Sequence, residues 1–544
     1  MRMDRGDIVI RGGTVYDGSG GAPYEADLAI VGDRIAAIGE GWVGGDEIDA
    51  GGLAVAPGFV NVLSWATESL IEDGRGMSDL RQGVTLEVFG EGESMGPLTE
   101  AMKEELVAQQ TNIRFEIEWT TLNQYLEHLE RRGVSPNVSS LVGASTVRAN
   151  VLGYEDREAT PAELAEMTAL AREAMAEGAL GVGAALIYAP GCYATTDELI
   201  ALARTVAEHD GLFTAHLRSE GDRLLEALDE LITIARSSGA RAEIYHLKAA
   251  GNANWGKLES AITRVEEARA DGLGVTADMY TYTAGGTGLN AGMPPWVQEG
   301  GFAAWRARLS DPEIRARVER EMSAPNDEWE NLFLLAGPEN IRFTAFRSDE
   351  LRPLTGRTLA EVADERGLSP AQAAMQLVVE DGSRVEAAYF LMSEENVRRE
   401  IALPWMSFCS DAGAPAAEGV FLQWLPHPRA YGSFARLLGR YVGEEGIVPL
   451  EDAVRRLTSL PADNLGLRKR GRLGTGYYAD VVVFDPAQIS DRATFENPHQ
   501  YATGVAHVLV NGTPVIREGE HTGAFPGRVV RGPGWRDGAA SKGA

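Results

Sequence analysis

The chain has 544 residues, 44% of them hydrophobic and 24% charged, with a formal net charge of −30. That length buries a large core without covalent staples and allows more than one structural unit. So acidic a surface disfavours nucleic acid and anionic membranes as partners. The two cysteines, Cys192 and Cys409, make no disulfide framework and are read as buried free thiols. Met1–Gly12 is charged and lacks the apolar stretch of a secretory signal, and no apolar run approaches a membrane span, so a cytoplasmic protein is expected.

The first ~56 residues read as short strands, Asp7–Arg11, Thr14–Tyr16 and Asp27–Val31, punctuated by Gly12-Gly13, Asp17-Gly18 and Gly32-Asp33. From Gly58 onward strands alternate with helices, which predicts a parallel α/β core. The strand candidates are Gly58–Val62, Thr85–Phe89, Ser139–Val142, Gly181–Gly183, Phe213–His216, Glu243–His246, Val275–Met279 and Met406–Cys409. Helix candidates between and after them include Pro161–Glu177, Thr196–His209, Arg218–Ser238, Leu258–Ala270, Thr358–Arg366 and Ser369–Glu380. The stretch 290–346, with Met293-Pro294-Pro295-Trp296 and two charged helices, breaks this rhythm and is read as a lid-like insertion. At the end of the chain Ala479–Phe484, His507–Val510 and Val515–Arg517 are again strand-like, with a hairpin signal at Asn511-Gly512.

Neither end holds enough apolar surface to fold alone. The expected fold is therefore α/β, a (β/α)8 TIM-like barrel over 57–467, with a small β-sandwich domain formed by both chain ends, 1–56 and 468–544.

In such a barrel the reactive side chains stand at the C-terminal ends of the strands. His216 and His246 end consecutive strand candidates, so their imidazoles converge on the mouth within reach of one metal ion. Asp411 follows the last strand in Ser410-Asp411-Ala412-Gly413, where a carboxylate could touch metal, take a proton from the attacking water and return it to a leaving amine. Glu91, in Gly90-Glu91-Gly92, is a candidate third ligand, with Glu93 its rival. Lys248, Arg218, Arg429, Tyr188, Tyr280 and Tyr282 are candidate donors to a substrate carboxylate. Taken singly, each has a plain structural explanation: core histidines, a turn aspartate, surface ion pairs, packed phenols.

Taken together the motifs resemble the N-acyl-D-amino-acid deacylase (D-aminoacylase) branch of the amidohydrolase superfamily. They are Asp7–Gly20, Ala56–Val60, Arg81–Thr85, Leu186–Tyr193, Ala215–Gly221, His246–Ala249, Asn254–Lys257, Thr276–Gly288, Ser410-Asp411, His427–Gly432, Thr458–Ala462, Ala479–Pro486 and Thr522–Arg528. The resemblance implies the same barrel with a two-part β unit. It implies His216 and His246 as metal ligands, Asp411 as the catalytic acid–base, and Lys248, Tyr282 and Arg429 as binders of the substrate's carboxylate. The implied activity is metal-dependent hydrolysis of an amide in an N-acyl-D-amino acid or related carboxylate-bearing small molecule; a homo-oligomer is allowed but not implied.

Two departures from the pattern stand out. The family's His-x-His pair at the end of the first strand is replaced by Leu63-Ser64-Trp65, and its cysteine ligand by Gly90-Glu91-Gly92. One reading keeps a single divalent ion, zinc by ligand type, on His216, His246 and a carboxylate. The other is a homologue that lost the His-x-His site and binds a small molecule without hydrolysing it.

Overall fold

Eight parallel strands close a barrel in the computed structural model, which describes residues 4–535. In chain order they are Phe59–Asn61, Val84–Phe89, Asn137–Ser140 continued by Val142–Gly143, Gly181–Ala185, Leu212–His216, Arg241–Ile244, Val275–Met279 and Met406–Phe408. Each pairs in parallel with its neighbour. The ring closes where the segment after the last strand meets the first: Asp411 N–H donates to Leu63 O at 2.9 Å and Ser410 N–H to Asn61 Oδ1 at 2.9 Å. Helices cover the outside of these strands while side chains fill the inside, so a strand such as Val84–Phe89 is buried along its whole length instead of alternating.

Strands from both ends of the chain share one nine-stranded sheet. Ala54–Pro57 pairs antiparallel with Val481–Phe484, joining the beginning to the end. The two early strand candidates Asp7–Arg11 and Thr14–Tyr16 merge into one strand, Asp4–Val15, whose register shifts between Ile10 and Gly13. Asn511-Gly512 makes the tight hairpin its sequence announces, with φ positive at both residues (+48° and +77°).

Between the last two barrel strands the chain builds a three-stranded antiparallel sheet from Ala284–Gly288, Ile341–Ala345 and Glu386–Phe390. This sheet begins before residue 290 and ends well after 346. The helices Leu359–Arg366 and Pro370–Asp381 pack on it, not on the barrel, in a core with Met293, Trp305 and Phe343. Ala250, Ile187 and Tyr188, which follow barrel strands, pack against this same core, so the insertion stands beside the C-terminal mouth. No helix among the described residues is long and apolar enough to cross a membrane.

Candidate active site

The fifth and sixth barrel strands deliver His216 and His246 to the mouth, both buried. His246 sits just past its strand in a left-handed conformation (φ +33°), which costs a non-glycine residue energy. Its backbone N–H donates to Asp278 Oδ1 at 2.8 Å, a contact from the next strand that holds this turn.

Glu91 arrives from the second strand through Gly90-Glu91-Gly92, where both glycines have positive φ. A Cβ on Gly90 would collide with the Leu141 carbonyl and one on Gly92 with Ala185, so only glycines let the chain pass and turn Glu91 inward. Glu93 is exposed and lies outside the cluster.

Three donor atoms form a small triangle. Glu91 Oε1 is 2.9 Å from His246 Nε2 and 3.2 Å from His216 Nδ1, and the two nitrogens are 3.1 Å apart. A tetrahedral zinc with bonds of ~2.05 Å has ligand atoms about 3.3 Å apart, so the triangle matches one face of such a site and leaves the fourth position open. Among the described residues, this trio brings together three side-chain donors that could hold a metal ion.

Electrostatics favour a cation there. Burial pushes the Glu91 carboxyl up, but charge and hydrogen bonds from His246 and His216 hold it below the usual carboxylate range. Burial and Lys248 push the His246 imidazolium down, yet Glu220 and Glu91 outweigh them and raise it to about 10. The two carboxylates thus demand positive charge between them, which a divalent ion would supply.

Glu220 is the functional neighbour that the sequence reading missed. Its Oε1 lies 3.0 Å from His246 Nδ1 and 2.6 Å from Lys248 Nζ. A carboxylate behind a ligating imidazole fixes the ring's orientation and tautomer. The available signal was its place four residues after a strand-end histidine, on the same loop. Glu220 is itself braced from the insertion, where Glu330 accepts from the Glu220 N–H at 2.9 Å and the Ser219 hydroxyl at 2.6 Å.

Asp411 follows the eighth strand with φ +48° and is buried. It is not part of the three-donor triangle. Its Oδ2 lies 2.7 Å from Arg429 Nη1 and its Oδ1 accepts from the Trp65 indole at 3.1 Å. Burial raises its carboxyl against the pull of Arg429, and the net shift is upward.

The other expected residues divide. Tyr188 stands with its ring 5.5 Å from that of His216. Arg429 is buried, and its Nε has no hydrogen-bond partner. Lys248 is at the mouth but tied to Glu220. Arg218 points elsewhere, donating to Glu230 and to the carbonyls of Cys192 and Ala194. Tyr282 also turns away, its hydroxyl toward Asp491 and its ring beside Arg436 and His427. Tyr280, two residues earlier, occupies the place expected of Tyr282: its ring is 6.3 Å from His246 and 4.6 Å from the Arg429 guanidinium carbon.

A barrel mouth with two strand-end histidines and a carboxylate converging on one point defines a metal-dependent hydrolase of the amidohydrolase class, and residues 46–516 match the model of the amidohydrolase family. The chain belongs to that family. It is 36% identical to the D-aminoacylase of Alcaligenes xylosoxydans xylosoxydans over 530 residues, 96% of this chain and 97% of the relative. Among solved structures, a D-aminoacylase described with a binuclear metal centre, one-metal activation and second-metal attenuation superposes with a TM-score of 0.80 at 33% identity, covering 96% of this chain and 99% of that one. The N-acyl-D-glutamate deacylase of Bordetella bronchiseptica, solved with zinc and a phosphonate inhibitor, gives 0.79 at 31% identity over 98% and 100%.

Proposed function

We propose that this chain hydrolyses the amide bond of an N-acyl-D-amino acid, or of a related small molecule bearing a free carboxylate, using one divalent ion, zinc by donor type. The observation that carries the reading is the triangle of Glu91, His216 and His246, which retains a full three-donor set although Leu63 and Trp65 stand where two further histidines are expected. That retained set, together with the relatives, argues against the alternative of a non-hydrolytic binding homologue.

In this reading Glu91, His216 and His246 hold the ion. When bound, it would supply Lewis acidity toward the amide carbonyl and lower the pKa of water to near neutrality. Asp411 takes the proton from the attacking water and passes it to the leaving nitrogen. Its ion pair with Arg429 keeps the carboxylate at the mouth. Arg429 offers its unpaired Nε–H to the substrate carboxylate, and Lys248, Tyr188 and Tyr280 line the same opening. Arg218 and Tyr282 have no part in it.

The test is metal content of the purified protein measured with activity on a panel of N-acyl-D- and N-acyl-L-amino acids and their carboxamides. About one tightly held ion per chain, turnover of D-acids, and a strong rise in KM on amidating the carboxylate are expected. No retained metal after reconstitution, or no turnover across the panel, would overturn the reading.

A further inference from the structure

The first strand ends in Leu63-Ser64-Trp65, and Trp65 does more than fill space. Its indole Nε1 lies 3.1 Å from Glu91 Oε2 and 3.1 Å from Asp411 Oδ1. An indole is a donor only, so one N–H is shared between two carboxylate oxygens in a three-centre bond. The backbone holds it there, because the Trp65 N–H donates to Ala412 O at 2.9 Å, one residue past Asp411.

The remaining oxygens of both acids are taken too. Glu91 Oε1 faces the two histidines, and Asp411 Oδ2 faces Arg429. The contacts form a continuous chain: imidazoles, Glu91, indole, Asp411, guanidinium. Without a donor at position 65, Glu91 Oε2 and Asp411 Oδ1 would be like-charged neighbours with nothing between them.

We infer that Trp65 is a positioning residue that stands in for a second cation: its N–H couples the metal-side carboxylate Glu91 to the acid–base Asp411, while its ring, with Leu63, takes the places of the donors that a second ion would need. The inference rests on the reading of the site proposed above and adds to it the reason only one ion is held. An indole is neutral, so it orders the two acids without adding Lewis acidity. The charge of Asp411 is met by Arg429 instead.

Three proteins test it: the parent, Trp65→Phe, which keeps the ring and loses the donor, and the double variant Leu63→His with Trp65→His. At saturating zinc the parent and Trp65→Phe should each hold one ion per chain, and the double variant, with Glu91 Oε2 released beside two imidazoles, should hold two. Trp65→Phe should lower kcat about 10-fold through misplacement of Asp411, with KM changed less than about twofold. Should Trp65→Phe fail to fold, the same split is read in Trp65→Met, which equally lacks a donor. An active parent with one ion and a donor-less variant of unchanged kcat would overturn the positioning role alone. A parent that takes two ions, or a double variant that stays at one, would overturn the exclusion of the second metal. A parent without metal or turnover would remove the underlying reading, and this inference with it.

Discussion

Two sides of one barrel mouth have been built on different principles. At the ends of the fifth and sixth strands, His216 and His246 turn ring nitrogens toward Glu91, each ring set by a close neighbour: Tyr188 against His216, Glu220 and Lys248 behind His246. At the end of the first strand the corresponding positions carry Leu63, buried among Val60, Val62, Leu86 and Cys409, and the half-exposed Trp65. One side offers lone pairs; the other offers hydrocarbon and a single N–H. The difference teaches that a face of polar donors and a packing face can be separated within one ring of strands, because each strand end is an independent attachment point.

The comparison can be broken hardest from the histidine side. His246→Ala removes a donor and leaves Glu91 and Glu220 without their shared imidazole. It should strip the ion on dialysis and lower kcat/KM by roughly 10³-fold or more, the several kcal/mol that a Lewis acid contributes. Elemental analysis read with turnover checks this, and retained metal with parent activity would show that the triangle is not the site. Next is Asp411→Asn, nearly isosteric, which should leave metal content near that of the parent and lower kcat by roughly 10²-fold. Equal activity in that variant would reject Asp411 as the acid–base.

Smaller is Glu220→Gln, which keeps the shape but weakens the hold on His246 Nδ1. Metal affinity, measured by competition with a chelator, should fall by about 10-fold, the lower end of the range for partners behind a ligand. No change would reduce Glu220 to a partner of Lys248 only. Smallest in function is Leu63→Ala on the opposite side. It should cost about 3 kcal/mol of stability as a buried large-to-small change, seen as an earlier urea midpoint, while kcat stays within about twofold. A loss of metal in that variant would erase the distinction between the two faces.

Much of this was legible because chemistry at strand ends leaves a linear trace. All eight barrel strands lie where strand-like segments are read, and His216 and His246 are marked by their equivalent positions on consecutive strands. Alternation along Asp278–Tyr282 says that Tyr280 and Tyr282 share a face, but not which of them reaches the mouth once the strand has ended and the chain has turned. Arg218 reads as an anion binder until the fold brings Glu230, twelve residues on, across to it. Ala284–Gly288 is too rich in glycine to announce a strand; its pairing with Glu386–Phe390, about a hundred residues later, makes it one. Asn61 is similar: its amide donates to Asp79, Glu87 and Ser410, a buried network assembled from three distant segments that no local pattern foretells.

The joint sheet carries a consequence for how the protein is made. Val55 is paired with Val483, synthesised about 430 residues later. At ribosomal rates of roughly 5–20 residues per second, the first strands wait on the order of 20 to 90 seconds for the partner that covers their edge. Throughout that interval an open β-edge, apolar on one side, is available to any neighbouring chain. Yield on expression should therefore depend on chaperone supply and on how crowded the nascent chains are, more than on the stability of the finished enzyme.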